Sequence, residues 1–188
     1  MSTRREQPER ALVVGVDASK ESLLAVAWAA AEAAARGTSL TVLHVRDEAP
    51  PAPAQASTRA YSELGRLAQE VLDRGVRQAD ETAPAVAVRA ELVVGTPAPQ
   101  LLRAAPGAEI VLGQRGAGGF AGLLLGSVGA AVAAHAAGPV VVVREHRQPA
   151  GPVLVGIDGS DHSARSMEYA LRHAARHGLG VRGAARLP

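Results

Sequence analysis

The chain of 188 residues contains no cysteine. That excludes disulfides, thiolate nucleophiles and cysteine-ligated metals, and it fits a reducing compartment. Aromatic residues make up only 2%, so a core must be assembled from Ala, Val and Leu. The same scarcity removes the stacking platforms used to bind single-stranded nucleic acid. Lys20 is the sole lysine, and a Walker A loop, which needs Gly-Lys, is thereby excluded. The formal net charge is only +2, with no Lys/Arg block, so no nucleic-acid partner is expected. No window of 18 apolar residues runs without breakers, so no membrane span is expected. Residues 1–10 are polar and lack the apolar stretch of a secretory signal. The expected location is the cytoplasm.

Hydrophobic residues are plentiful at 47%, and their pattern alternates between two periods. Residues 11–16 form a continuous apolar run, as in a strand covered on both faces. Ser19 is placed to cap a helix running to Arg36, and Gly37 sits where a left-handed C-cap belongs. Residues 39–45 read as a second strand, and the Pro50, Pro51, Pro53 segment as a loop. Residues 57–82 carry Leu64, Leu67, Ala68, Val71 and Leu72 on one helical face. A third strand is expected over 85–94, then a short helix opened by Thr96 and Pro97. A fourth strand centres on 110–112, a helix follows from about 128 to 137, and 140–143 form a fifth strand. Five alternations of strand and helix argue for an α/β, doubly wound parallel five-stranded sheet, Rossmann-like in outline.

Between the fourth strand and the helix after it lies the segment 113–127, rich in glycine. Such a loop brings backbone N–H groups and a positive helix end together, which suits a phosphate. Gly116-Ala-Gly118-Gly-Phe-Ala121 spells a dinucleotide fingerprint, yet it follows the fourth strand rather than the first. The fuller description is Gly113-x2-Gly116-x9-Gly126-Ser127. With Val14-Gly-Val-Asp17, Gly95-Thr-Pro97 and the closing Pro139-Val-Val-Val-Val-Arg144, this segment resembles the universal stress protein family. The resemblance spans 11–144 as a complete nucleotide-binding module.

The resemblance implies a strand order of 3-2-1-4-5, which sets a crevice between the ends of strands one and four. It further implies an adenine nucleotide there, ATP or a relative, with or without Mg2+. The implied binding residues are Gly15, Asp17, Val45, Gly113, Arg115, Gly116, Gly126, Ser127 and Val128. Asp17 would meet ribose or adenine, the backbone around Val45 would line the base, and residues 126–128 would meet the phosphates. The first two glycines would let backbone approach the ligand. Gly129 stands where many nucleotide-binding members carry Ser or Thr, and Gln114 replaces a common small residue. The plainer alternatives are that Asp17 and Ser127 only cap helices and that Gly113 and Gly116 only make a turn.

No paired carboxylates and no Ser-His-Asp order can be placed at the loop, so no general base is nominated and no enzyme is expected. Three readings stand: a nucleotide-binding sensor of the stress response, a slow ATPase or nucleotidyl transferase, or a dimerisation module with an empty pocket. A homodimer through the 140–143 edge strand is expected. His173 and His177, spaced i,i+4, read as a solvated helix face rather than a metal site, and His44 as a core or edge residue.

After a polar linker the opening of the chain returns. Val155-Gly-Ile-Asp158-Gly-Ser160 echoes Val14-Gly-Val-Asp17-Ala-Ser19 at a constant spacing of 141 residues. Residues 152–188 are therefore read as the start of a second, incomplete copy with no glycine loop of its own. Either it docks through Leu154, Ile157, Met167 and Leu171, or it is a partly disordered remnant. The remnant is favoured because 178–188 lacks the alternating apolar pattern of 40–45.

Overall fold

A computed structural model describes residues 11–47, 57–117, 125–145 and 151–185. They fall into two units divided after Glu145. The first unit runs β1 (Leu12–Gly15), α1 (Lys20–Arg36), β2 (Leu40–Arg46), α2 (Ser57–Thr82), β3 (Val88–Val94), α3 (Pro97–Ala104), β4 (Glu109–Gly113), α4 (Ser127–His135) and β5 (Val140–Val143). The strands form one parallel sheet in the order β3-β2-β1-β4-β5. This is the doubly wound α/β fold and the strand order expected. Strand β3 is shorter than its expected span, because 85–87 precede the ladder. The Pro50, Pro51, Pro53 segment lies outside the described residues.

Burial explains the sequence periods. Central β1 is covered on both faces, and Leu12, Val13 and Val14 are buried. Helices α1 and α2 cover one face, packing Ala25, Ala29, Ala33, Leu72 and Ala79 around Val14 and Val42. Helices α3 and α4 cover the other, setting Leu101 and Val132 against Val13, Leu43 and Ile110. The alanine surface of α1 lets helix and sheet approach closely without aromatic filling. Gly75 of α2 serves the same end, since a Cβ there would stand 3.0 Å from Val42 Cγ1 and 3.1 Å from Val16 Cγ2.

The caps match the sequence at α1 and differ at α3. Ser19 Oγ accepts the Ser22 N–H, and Gly37 closes α1 at φ 63°. Thr96 occupies the N-cap position of α3, but its side chain makes no capping bond. Gly95 before it has φ 137°, a region that favours glycine, and the Gln100 amide there donates to the Val94 carbonyl.

At the amino end of the sheet an ion cluster is buried. Arg36 Nη1 and Nη2 donate to the two oxygens of Glu109 at 2.9 and 3.0 Å, and its Nε donates to Glu32 at 2.7 Å. The side chains of Arg36 and Glu109 are 4% and 1% exposed. Burial pulls the Arg36 pKa down, but Glu109 and then Glu32 more than offset this and hold the guanidinium charged.

The second unit has β6 (Val153–Ile157), α5 (Asp161–His177) and β7 (Val181–Ala185), with β6 and β7 parallel. It repeats the local chemistry of β1, α1 and β2. Ser160 caps α5, Asp158 accepts the Ser160 N–H, and Gly178 closes the helix at φ 64°. A second strand forms where the side-chain pattern argued against one. The ladder to β6 is made by backbone groups, and it needs no alternation from a strand whose residues 182–185 are all exposed. Val155, Ala170 and Ala174 are buried, whereas Leu154 and Leu171 are 69% and 52% exposed.

Removing one partner of a buried pair leaves an uncompensated charge. Arg36→Met should therefore lower unfolding stability by about 3–5 kcal/mol, measured by urea denaturation. A change comparable to that of an exposed ion pair would show that Glu32 and Glu109 do not depend on Arg36.

Candidate functional site: a cavity between the ends of β1 and β4

Connections leave β1 and β4 in opposite directions along the sheet, so a crevice opens at their carboxyl ends. A cavity of about 500 Å³ occupies it. All nine residues expected at the site line this cavity: Gly15, Asp17, Val45, Gly113, Arg115, Gly116, Gly126, Ser127 and Val128. The fold thus brings these nine residues together around one cavity. The sequence's reasons for individual residues need revision.

Asp17 is a brace between two strand exits rather than a helix cap. Its Oδ1 accepts the Ser19 N–H at 2.8 Å and also the Ser19 hydroxyl. Its Oδ2 accepts the Ala117 N–H, from the loop after β4, at 2.8 Å. The adjoining peptide is fixed as well. Ser22 Oγ accepts the Asp17 N–H at 3.1 Å, and His44 Nδ1 lies 2.7 Å from the Val16 carbonyl, to which it donates. Burial pushes the Asp17 carboxyl up, but the bonds from Ser19, Ala117 and Ser22 together bring it below its ordinary value.

The loop glycines answer to close contact with protein. A Cβ at Gly113 would stand 2.6 Å from the Glu21 carbonyl carbon and 2.9 Å from Ser22 N, both backbone atoms of α1. A Cβ at Gly116 would stand 2.5 Å from Asp17 Oδ2. The room that a side chain would need at these two positions is filled by α1 and by the Asp17 brace, so packing alone restricts both to glycine. Gly15 likewise leaves space for the side chains of Leu112 and Leu101. Gly126 is different. Its Cβ would meet only ordinary contacts, the nearest 3.6 Å away at Arg115 Cα and Gln114 O, and its φ is −69°.

Gly126 is the N-cap of α4 and Ser127 is its first residue, so Ser127 does not cap the helix with its side chain. The Gly126 N–H donates to the Gln114 carbonyl at 3.0 Å, closing the two ends of the glycine loop on each other. Residues 127–129 open α4 beside the cavity, and the first N–H groups of a helix have no partner within the helix itself. The Gly129 position, where a hydroxyl was missed, is filled by Leu125, whose Cδ1 would be 2.7 Å from an added Cβ. Arg115 Nε is buried and has no hydrogen-bond partner among the described residues.

The lining also includes residues that the sequence did not assign to the site, among them His44, Asp47, Ser22 and Val71. His44 lies on interior strand β2, not at an edge, and joins the site through the Val16 carbonyl. Its place at the carboxyl end of a strand next to β1 was the available signal. Ser22 gave a weaker one, three residues after the capping Ser19.

Two substitutions separate these roles. Gly113→Ala should destabilise the protein with no ligand present, because α1 backbone cannot yield as a side chain can; unaltered thermal unfolding would contradict the packing role. For Asp17, whose folded pKa is depressed, the stabilising bonds are complete above its unfolded pKa and are lost as pH falls through the folded value. The stability difference between the native protein and Asp17→Asn should therefore be constant above about pH 5 and shrink below about pH 4. Denaturant titration across this range provides the measurement.

The model of the universal stress protein family matches residues 9–144, nearly the whole first unit. A universal stress protein of Mycobacterium tuberculosis is 38% identical over 195 residues, covering 95% of this chain and 64% of its own length. The chain thus spans less than two thirds of the length of the curated relatives it matches. Among solved structures, universal stress protein UspA from Lactobacillus plantarum aligns at a TM-score of 0.65 and 25% identity, over 74% of this chain and all of its own. A universal stress protein in complex with cAMP aligns at 0.55 and 28% identity, over 73% and 98%. Among the described residues no helix is long and apolar enough to cross a membrane. Sheet order, glycine loop, Asp17 brace and these matches converge, and the chain belongs to the universal stress protein family.

Proposed function

We propose that the first unit binds an adenine nucleotide in the cavity between β1 and β4, and that the protein works as a ligand-dependent sensor in a stress response rather than by turnover. One observation carries this reading. The start of α4, the closed glycine loop and the unpartnered Nε of Arg115 meet in one cavity with the Asp17 carboxylate. The first three suit a phosphate, and the carboxylate suits a ribose hydroxyl or a base amino group. The cAMP complex of a similar family member supports the same ligand class. Binding without turnover is favoured because Asp17, the carboxylate nearest the loop, already has three protein donors, which leaves it poorly placed to activate a water. A cytoplasmic site of action accords with this reading.

Strand β5 supports the expectation of a homodimer. It pairs with β4 on one side only and carries four half-buried valines, Val140–Val143. An edge of this kind recruits another strand. Light scattering at micromolar concentration should give twice the chain mass, and a monomer throughout would refute pairing through β5.

Binding itself is tested by thermal unfolding with millimolar AMP or Mg-ATP. At about 100 times Kd a ligand adds roughly 2.7 kcal/mol of apparent stability. Gly126→Val should fold and lose this response, because its branched side chain crowds the gap between the loop arms where Gly126→Ala fits. Phosphate release from ATP should remain at background over hours. A folded protein with no shift in any adenine nucleotide would overturn the binding reading, and turnover at ~1–1,000 per second would overturn the sensor reading.

A further inference from the structure

The cavity has an unusual charge balance for a phosphate site. Its ionisable lining comprises Arg115, Asp17, Asp47 and His44. One guanidinium thus faces two carboxylates, while His44 is tied by Nδ1 to the Val16 carbonyl. The bonds that hold Asp17 favour its ionised form. Lys20, the sole lysine, is exposed, pairs with Glu145 at 2.5 Å and does not line the cavity. The intervening sequence supplies no further cation: residues 116–126 hold no charged side chain, and 48–56 hold only Glu48. Among the described residues, favourable charge for a phosphate at the cavity is therefore confined to Arg115 and the start of α4, whose dipole acts within its first turn.

One phosphate group can satisfy both. Each additional phosphate adds negative charge to a lining already negative on balance, and such repulsion is weakly screened in a cleft. Resting on the nucleotide-binding reading above, we propose that this cavity selects adenine nucleotides with a single phosphate group, the monophosphate or its cyclic diester, over the triphosphate unless a divalent cation accompanies it. Gly129 acts in the same direction, because it brings no hydroxyl to α4 and its side-chain space is taken by Leu125.

Calorimetric titration of the full chain with AMP, cyclic AMP, adenosine and ATP tests this, at low salt and with divalent cations chelated. AMP or cyclic AMP should bind at least ~10-fold more tightly than ATP, a difference of about 1.4 kcal/mol. Adding Mg2+ should narrow the gap. Asp47→Asn, at an exposed position, should narrow it several-fold without cation. Arg115→Gln should weaken AMP several-fold while leaving adenosine unchanged, the α4 start keeping the remainder of the phosphate's contribution. ATP binding as tightly as AMP without Mg2+ overturns the inference while leaving the nucleotide reading intact. An unchanged AMP-to-ATP ratio in Asp47→Asn, or undiminished AMP binding in Arg115→Gln, overturns its electrostatic basis. Failure of every adenine nucleotide to bind defeats the nucleotide reading and this inference together.

Discussion

The carboxylate of Asp17 spans the gap between two strand exits, and the geometry of the cavity follows from it. On one oxygen it fixes the turn from β1 into α1, and on the other it holds the loop that leaves β4. The brace also dictates composition: glycine at 116 is the space the carboxylate oxygen occupies. His44 and Ser22 extend the constraint to the peptide before Asp17, so β2 and α1 share in positioning one side chain.

A charge cluster of a different kind holds the opposite end of the sheet. Arg36, near the end of α1, forks onto Glu109 at the start of β4. Together the two ends pin α1 across the β1–β4 junction, with Gly113 against its first turn and Glu109 against its last. The core between them is built of Val, Leu and closely packed Ala. That explains how a chain with 2% aromatic residues covers a five-stranded sheet. Small side chains shorten the helix-to-sheet distance instead of filling a wider gap.

Much of this was legible in the sequence because the fold repeats local signals. Continuous apolar runs marked the buried parallel strands, and Ser19 and Gly37 marked the ends of α1. The spacing of Gly113, Gly116 and Gly126 located the cavity. What could not be read was the neighbour that each glycine accommodates, since Glu21 and Asp17 lie about a hundred residues away. His44 reads as a core or edge residue from sequence alone, and its partner is hidden for a related reason: its role depends on the Val16 carbonyl of an adjacent strand, a relation set by register. Strand β7 was underestimated because its support is a backbone ladder, to which side-chain alternation is blind.

The tight fit of Gly113 against α1 bears on how such glycine signatures are counted as evidence. A position whose side-chain space is filled by the protein's own backbone is held to glycine by folding alone. A chain of this fold that meets no nucleotide would be under the same restriction at 113, and at 116 for as long as the Asp17 carboxylate is kept. Gly126, which tolerates a Cβ in the packed structure, is free of that restriction. In surveys of related chains, the first two glycines therefore trace the architecture, and the third is the position left open to report on a ligand.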